Sequence, residues 1–559
     1  MLYFAGIVFI FGLRLWIWKL FPALESGIKD DFSNMIIASL IFGLAIFFFL
    51  HKAIRREGSF KSGLEGPLAL FIGAAAVSLF WTADMASSVK AVVMLLAYVF
   101  VFYILLDALS REYQRRAFLW VFFIGSVVVA GFGINDIIVL NQVSPEALES
   151  ARLTNKSLYY ILTHKRACSL FGWPNVLAGF LMLSMPLAAA LFMSVRSWWL
   201  KGIAAFGAAM MVAAFFLTFS FLGWSGFMIT AGALLSVLIY RRVVTVPVIA
   251  LKYLGVGIVL AAVLFTGVVL KKDFGASMSP RKEYVRVVRT VIGEHPFLGS
   301  GFGAYRFASM RFVINNDGET AFPHNTYAQI WAETGLPGLA AILWFLAAVF
   351  FLTQQILRRI GDGKDKILFI GILVGLAAFL VDNINSFTML KPNASFFFWV
   401  WLALFCSYGL RQGEKFRRVV MISFVVVAMA GLFLSTRSAL ALSAFRTGRE
   451  AANAGVFDLA QKFFQRAHAL DPVDPRSLTA EGDLYFRAYR STSQVVWLDQ
   501  ARPLLLQAAD LAPNYYYNYL LLSNIYSIRG DRVKAERAMA RARGVSPYEV
   551  ERDLNPPSR

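Results

Sequence analysis

Long apolar runs fill the first 436 residues of this chain, and they constrain its fold more than any other feature. Inside lipid a backbone has no water to bond, so each crossing of the roughly 30 Å hydrocarbon core takes about 20 mostly apolar residues in a helix. About thirteen stretches qualify: residues 3–21, 34–50, 67–81, 89–106, 117–140, 175–195, 199–217, 222–240, 247–270, 336–357, 367–388, 394–410 and 418–436. The first is the least regular, because Arg14 and Lys19 lie within it. The expected fold is all-α, a polytopic membrane bundle of about 12–14 spans. Only 16% of residues are charged and 58% are apolar, whereas soluble domains carry roughly 25% charged residues. An ordinary aqueous globule is excluded.

The chain has 54 Lys+Arg against 34 Asp+Glu, a net charge of +20, which in a soluble protein would point to nucleic acid. Their distribution points elsewhere. Alternate short loops, from HKAIRREGSFKSG at residue 51 to RQGEKFRR at residue 411, hold 19 Lys/Arg, while those of opposite parity hold only Lys29 and Lys391. Basic loops stay on the cytoplasmic side. The N-terminus is therefore expected inside, and residues 141–174, 271–335 and 437–559 outside, in a multi-pass membrane protein. The two cysteines, Cys168 and Cys406, lie in different segments, with no CxxC partner or neighbouring His to suggest a metal site.

The composition changes near residue 436, dividing the chain into a membrane domain, 1–436, and a domain 437–559 of amphipathic helices. In the latter, helical stretches reach Pro472, Pro513 and Pro547, at intervals of 41 and 34 residues. A helix-turn-helix period near 34 with Pro at the repeat end resembles a tetratricopeptide-like α-solenoid; a plain helical bundle is the alternative. Either presents a surface suited to a protein or peptide partner.

The richest polar segment is the outer loop 271–335. It opens with Arg281, Tyr284 and Val288 at helical spacing, is stopped at His295-Pro296, and turns through Gly299, Gly301 and Gly303. GSGFGA is only superficially a dinucleotide fingerprint, since no strand precedes it and it faces away from the cytosol. The loop closes with PHNTYAQIWAETGLPG, where Pro323 favours a helix start, His324 and Asn325 are expected in the first turn, and Glu333 precedes the breakers Gly335 and Pro337. A helix N-terminus disfavours imidazolium, so His324 is expected to be neutral and able to accept a proton. A capping or packing histidine is the bland alternative.

Taken together, Arg281 and Tyr284, the run EHPFLGSGFGAY, and the run HNTYAQIWAETGLPG resemble the shared domain of the O-antigen ligase and O-antigen polymerase family, which includes bacterial protein O-oligosaccharyltransferases. SLFGWPNVLAGFLMLSMPL from Ser169 and LFWTADMASSVKAVVMLL, which sets Lys90 at the start of a span, agree with it, and the resemblance covers most of residues 67–410. One step departs. Where family members commonly carry Ser-Arg-Gly at an outer boundary, this chain has Phe221 after Ser220; either Arg166 or Lys165 substitutes, or the donor site differs, or the activity is reduced or altered.

The resemblance implies glycan transfer from a polyprenyl-diphosphate carrier to a lipid, glycan or protein hydroxyl on the outer face, with no cofactor, metal or nucleotide sugar. His324 would be the general base and Arg281 a second catalytic residue. Fixed cations suit a diphosphate, and Lys90, Arg281, Arg286, Arg289, Lys165 and Arg166 are the candidates; snorkelling to headgroups is the alternative for each. Asn325, Tyr327, Glu333, Asp382, Asn383, Trp173 and Asn175 are expected around the substrates, with Asn385 and Trp331 nearby. For Asp382 and the amides the alternative is helix-helix hydrogen bonding, and for the aromatics an interfacial belt. A secondary transporter would need midspan charges and related halves, which the sequence lacks. A membrane scaffold would leave the His-Asn and Gly-rich runs unexplained. Cysteines introduced singly into residues 437–559 should react with an impermeant thiol reagent on spheroplasts; protection would mean that the span count is off by one.

Overall fold

Lipid admits only helices or closed barrels, and helices are what these sequences form. The computed structural model describes residues 5–6, 9–10, 12–13, 26–154, 159, 162–240, 274–314, 322–410 and 415–555. Among them the only extended pairing is a single bridge between Phe60 and Lys415. The helices of the membrane part are α1 (Ser26–Ile54), α2 (Glu65–Val77), α3 (Met85–Ala108), α4 (Glu112–Leu140), α5 (Pro145–Thr154), α6 (Pro174–Ser194), α7 (Trp198–Leu217), α8 (Phe221–Tyr240), α9 (Phe274–Glu294), α10 (Tyr305–Ser309), α11 (Thr326–Arg359), α12 (Lys364–Asp382), α13 (Pro392–Ser407) and α14 (Arg418–Asn453).

Seven helices among the described residues are long and apolar enough to cross a membrane: Asp31–Ile54, Met85–Ala108, Glu112–Leu140, Pro174–Ser194, Trp198–Leu217, Thr326–Arg359 and Arg418–Asn453. That is fewer than the sequence count. Three expected spans are shorter apolar helices, Glu65–Trp81, Phe221–Leu234 and Pro392–Ser407. A fourth, α12, has only 19 residues and carries Lys364, Asp365, Lys366 and Asp382 at its ends. The expected span 247–270 lies outside the described residues, as does most of 3–21.

The bundle is built around α13. Every residue of this helix from Ala394 to Ser407 is buried, as expected for a helix that is apolar all round. Its Trp401 Nε1 donates to the Ile372 carbonyl of α12 at 2.9 Å. Lipid offers helices no hydrophobic reason to associate, so close contact at small residues does the work. Gly371 and Gly375 let α12 lie against the α6 carbonyls of Pro186 and Leu183. Gly431 of α14 faces the Phe42 ring of α1, with a Ser39–Ser435 hydrogen bond of 2.9 Å on the same seam.

α14 continues without interruption past residue 436 to Asn453. Beyond it, α15 (Phe457–Leu470), α16 (Arg476–Thr492), α17 (Val496–Leu511), α18 (Tyr516–Ile528), α19 (Arg532–Val545) and α20 (Pro547–Leu554) follow, each packed on the next. Ala460, Ala467, Ala501 and Ala508 are buried at these contacts.

α11 is two helices meeting at Gly335, whose φ of 64° and ψ of −159° are non-helical. A Cβ there would stand 2.1 Å from the Phe297 carbonyl oxygen. Gly63 also has a positive φ, 84°, but a Cβ there would meet nothing. Gly335→Ala should therefore destabilise by more than the roughly 1–3 kcal/mol of backbone strain alone, and Gly63→Ala by no more than that strain. Thermal unfolding of the two purified variants checks the order; equal shifts would refute the close-approach account.

Candidate active site

The start of α11 fixes the site. Asn325 is its N-cap, with its Oδ1 accepting from Ala328 N at 2.9 Å, the role for which Asn is favoured. The helix thus begins at Thr326, and His324 precedes the cap instead of standing in the first turn as the sequence suggested. Its φ is 53°, uncommon for a residue with a Cβ and frequent at functional sites. Thr326 is held from the other side: its N donates to the Asn383 and Ser386 carbonyls at 3.0 and 3.1 Å, and its hydroxyl to Asn383 Oδ1 at 2.7 Å. Asn383 also caps Met389 N and bonds the Phe379 carbonyl. Its amide is thereby committed to joining α11 and α12.

The half-buried His324 ring stacks on Tyr284 of α9, centroids 4.9 Å apart and planes 8° from parallel, and meets the edge of Phe387 at 4.6 Å. Its Nδ1 is buried with no hydrogen-bond partner. Burial first, and then the charges of Arg281 and Lys391, push its pKa down to about 3. The ring is therefore neutral, as expected, but burial and two cations are the causes. Arg281, three residues before Tyr284, acts electrostatically on both His324 and Asp382. Asp382 accepts from Thr388 Oγ1 at 3.3 Å.

Lys391 is the residue that sequence reasoning missed. Its ammonium lies 4.4 Å from the Phe322 ring, 5.2 Å from Trp173 and 5.5 Å from Phe387, a cage of faces that favours a cation. Its signal was the lone lysine in an otherwise uncharged short loop, TMLKPN, ahead of Pro392.

The Gly-rich turn is a brace. Ser300 N and Gly301 N donate to the Ala332 and Glu333 carbonyls at 2.9 Å each, and Leu336 N to Phe297 O at 3.2 Å. The Glu333 carboxylate, buried, accepts from Gly303 N at 2.9 Å, Tyr305 N at 3.3 Å and Gln329 Nε2 at 2.8 Å. A Cβ at Gly301 would fall 2.1 Å from Thr82 Oγ1. Trp331 Nε1 donates to Pro296 O, and Tyr327 OH to Leu380 O.

The other expected cations disperse. Arg286 pairs with Glu283 and donates to the Phe312 carbonyl, and Arg289 is exposed on the same helix. Lys165 donates to Asn141 Oδ1 at 2.8 Å. Arg166 reaches the Thr218 carbonyl at 2.8 Å and Asn175 Oδ1 at 3.0 Å, three residues before Phe221, where the missing arginine was expected. Phe221 itself packs on Trp224. Lys90 is remote from His324 in role: its Nζ lies 2.6 Å from Asp474 and 3.9 Å from Asp31.

Phe322, Tyr327 and Lys391 also line a cavity of about 660 Å³, whose other walls include α3, α11, α13 and residues of the C-terminal helices; His324 and Arg281 stand outside its lining.

A bundle with, among the described residues, seven helices long and apolar enough to cross a membrane is that of a multi-pass membrane protein. The family model described as O-antigen ligase matches residues 177–343, a segment that carries Arg281, the Gly-rich turn and His324. No curated protein matches the chain.

Because the folded-state pKa of His324 lies below its unfolded value, the unfolded chain takes up the proton first as pH falls. The stabilising contribution is complete above about pH 6.5 and is lost progressively from there toward pH 3. In 15N spectra of His-labelled protein the His324 ring should remain neutral at pH 5, and Arg281→Met with Lys391→Met should move its titration upward. Titration near 6.5 in the intact chain would contradict this.

Proposed function

We propose that this chain transfers a glycan from a polyprenyl-diphosphate carrier to an acceptor hydroxyl on the outer face of a bacterial cytoplasmic membrane. The carrying observation is the buried, unpartnered Nδ1 of a neutral His324 between Arg281 and Lys391. A buried polar atom without a partner is costly, and a substrate hydroxyl is a group that would satisfy it after a small ring adjustment.

In the transfer, the acceptor oxygen attacks the anomeric carbon as the bond from that carbon to the diphosphate oxygen breaks. The hydroxyl proton passes to His324, and the lipid diphosphate departs with its charge. Attack opposite the leaving group inverts the configuration. A base with a pKa near 3 is weak, since general bases work best near the operating pH. The anionic donor supplies the correction: a diphosphate beside Arg281 and Lys391 offsets the two positive fields that depress the imidazole. Donor binding thus readies the base. Arg281 and Lys391 then stabilise the departing diphosphate, and Arg166, docked on the Thr218 carbonyl beside Phe221, is the substitute for the absent arginine. The step calls for no metal ion.

The alternatives within this chemistry, a repeat-unit polymerase or a protein O-oligosaccharyltransferase, differ in acceptor. The C-terminal helices, read as tetratricopeptide-like, favour a bulky one.

Purified protein with a polyprenyl-diphosphate glycan and candidate acceptors tests the reading. His324→Ala should lower turnover roughly 10²–10⁴-fold, and Arg281→Ala roughly 10²–10³-fold. Arg166→Ala should weaken donor saturation, and chelation should change nothing. Full transfer by His324→Ala would end this mechanism. A single product marks a ligase and a ladder of lengths a polymerase.

A further inference from the structure

A second cavity, of about 850 Å³, lies at the other end of α13 from Lys391 and is unused by the chemistry above. Lys391 directly precedes α13, and Ser407, its last residue, lines this cavity, so 16 residues of helix separate the two, roughly 24 Å at 1.5 Å per residue. The walls are helix ends and the segments joining them: Lys52 and Arg55 where α1 ends, Asp107 where α3 ends, Arg111 and Arg115 where α4 begins, and Lys415 ahead of α14. This end of the bundle carries the basic loops expected in the cytoplasm.

The charges lining this cavity do not cancel. Five Lys/Arg, namely Lys52, Arg55, Arg111, Arg115 and Lys415, face two carboxylates, Glu57 and Asp107. Lys52 takes both, its Nζ 2.9 Å from Asp107 Oδ2 and 3.5 Å from Glu57 Oε2. Glu112, next in sequence to Arg111, pairs instead with Arg116 at 2.6 Å. Arg55, Arg111, Arg115 and Lys415 therefore have no ion pair among the described residues.

Basic residues in the loops of a membrane protein ordinarily orient the chain and reach headgroups through flexible side chains. Here the fold fixes two of them. The Arg115 guanidinium lies 4.9 Å from the Tyr408 ring, and its Nη1 donates to the Leu109 and Ser110 carbonyls at 3.3 Å each. Lys415 Nζ lies 4.7 Å from the Phe60 ring. The backbone beneath it is pinned by the Phe60–Lys415 bridge and by Phe416 N donating to Ser59 O at 2.8 Å. Ring faces and carbonyls orient these charges without neutralising them. Arg55 and Arg111 are exposed at the rim, where water reaches the cavity.

We propose that this cavity is a binding site for a small water-soluble anion carrying several phosphate groups. Guanidinium groups match phosphate oxygens in bidentate geometry, and four uncancelled cations around one cavity call for a ligand with several negative charges. A volume of about 850 Å³ is that of a small-molecule site. Arg55 and Arg111 engage the ligand at the rim, and Arg115 and Lys415 from the walls. The site stands independently of the transfer chemistry at His324.

The full-length protein in nanodiscs of phosphatidylcholine alone tests this, with inorganic tripolyphosphate as the probe and titration calorimetry as the readout. Saturable binding is expected, with inorganic phosphate roughly ten-fold weaker or worse. Arg111→Glu and Lys415→Glu should each raise the dissociation constant roughly ten-fold. Arg196→Glu, an exposed position in another basic loop, should change it by less than about two-fold, and His324→Ala should leave it as it is. No saturable binding, or an equal loss in Arg196→Glu and Arg111→Glu, overturns the proposal, since diffuse attraction to a basic surface would then be the cause. Displacement of tripolyphosphate by a small fraction of phosphatidylglycerol in the same nanodiscs, at constant ionic strength, would also overturn it by giving these cations to lipid headgroups.

Discussion

The buried carboxylate of Glu333 is the interaction on which the candidate site depends. It accepts hydrogen bonds from the backbone of Gly303 and Tyr305, while the carbonyls beside it accept from Ser300 and Gly301. A carboxylate removed from water needs such donors. Only residues without a Cβ let the backbone come this close, which is why the turn is rich in glycine and why α11 breaks at Gly335. This brace sets the direction of the first half of α11, and with it the cap at Asn325 and the left-handed step at His324. The candidate base is thus aimed by a knot of backbone bonds nearly three turns away.

Much of this was legible in the sequence, and unevenly so. Apolar periodicity located most of the membrane helices, but not their lengths, because hydropathy registers composition and does not see where Pro392 or the 3₁₀ turn at Ser78–Trp81 bounds a helix. His324 and Arg281 were visible through local motifs, and their proximity is delivered by α9 packing on α11. Lys391 was not visible: its importance comes from three aromatic rings, of which Trp173 and Phe322 are contributed by distant segments. The pairing of Lys90 with Asp474 joins positions 384 residues apart, and no local pattern encodes it. Asn325 and Asn383 were recognised as polar residues of interest, but their amides serve to cap and join helices.

The cations show why residue type alone is a weak guide to a diphosphate site. Each of the six named from sequence is a plausible phosphate ligand by chemistry. Arg286 and Lys90 have carboxylates of their own, and Arg289 is left in solvent. Arg281 lies beside the histidine, and Arg166 stands at the boundary where a family arginine is missing. Geometry, through which helix ends meet, does the selecting.

α14 has one further consequence. It is a single helix of 36 residues, some 54 Å at 1.5 Å per residue, lying along α1 in its first half and reaching the C-terminal helices in its second. No hinge separates the two halves. The C-terminal helices therefore cannot swing on a tether: any displacement of them is a tilt of α14 against α1.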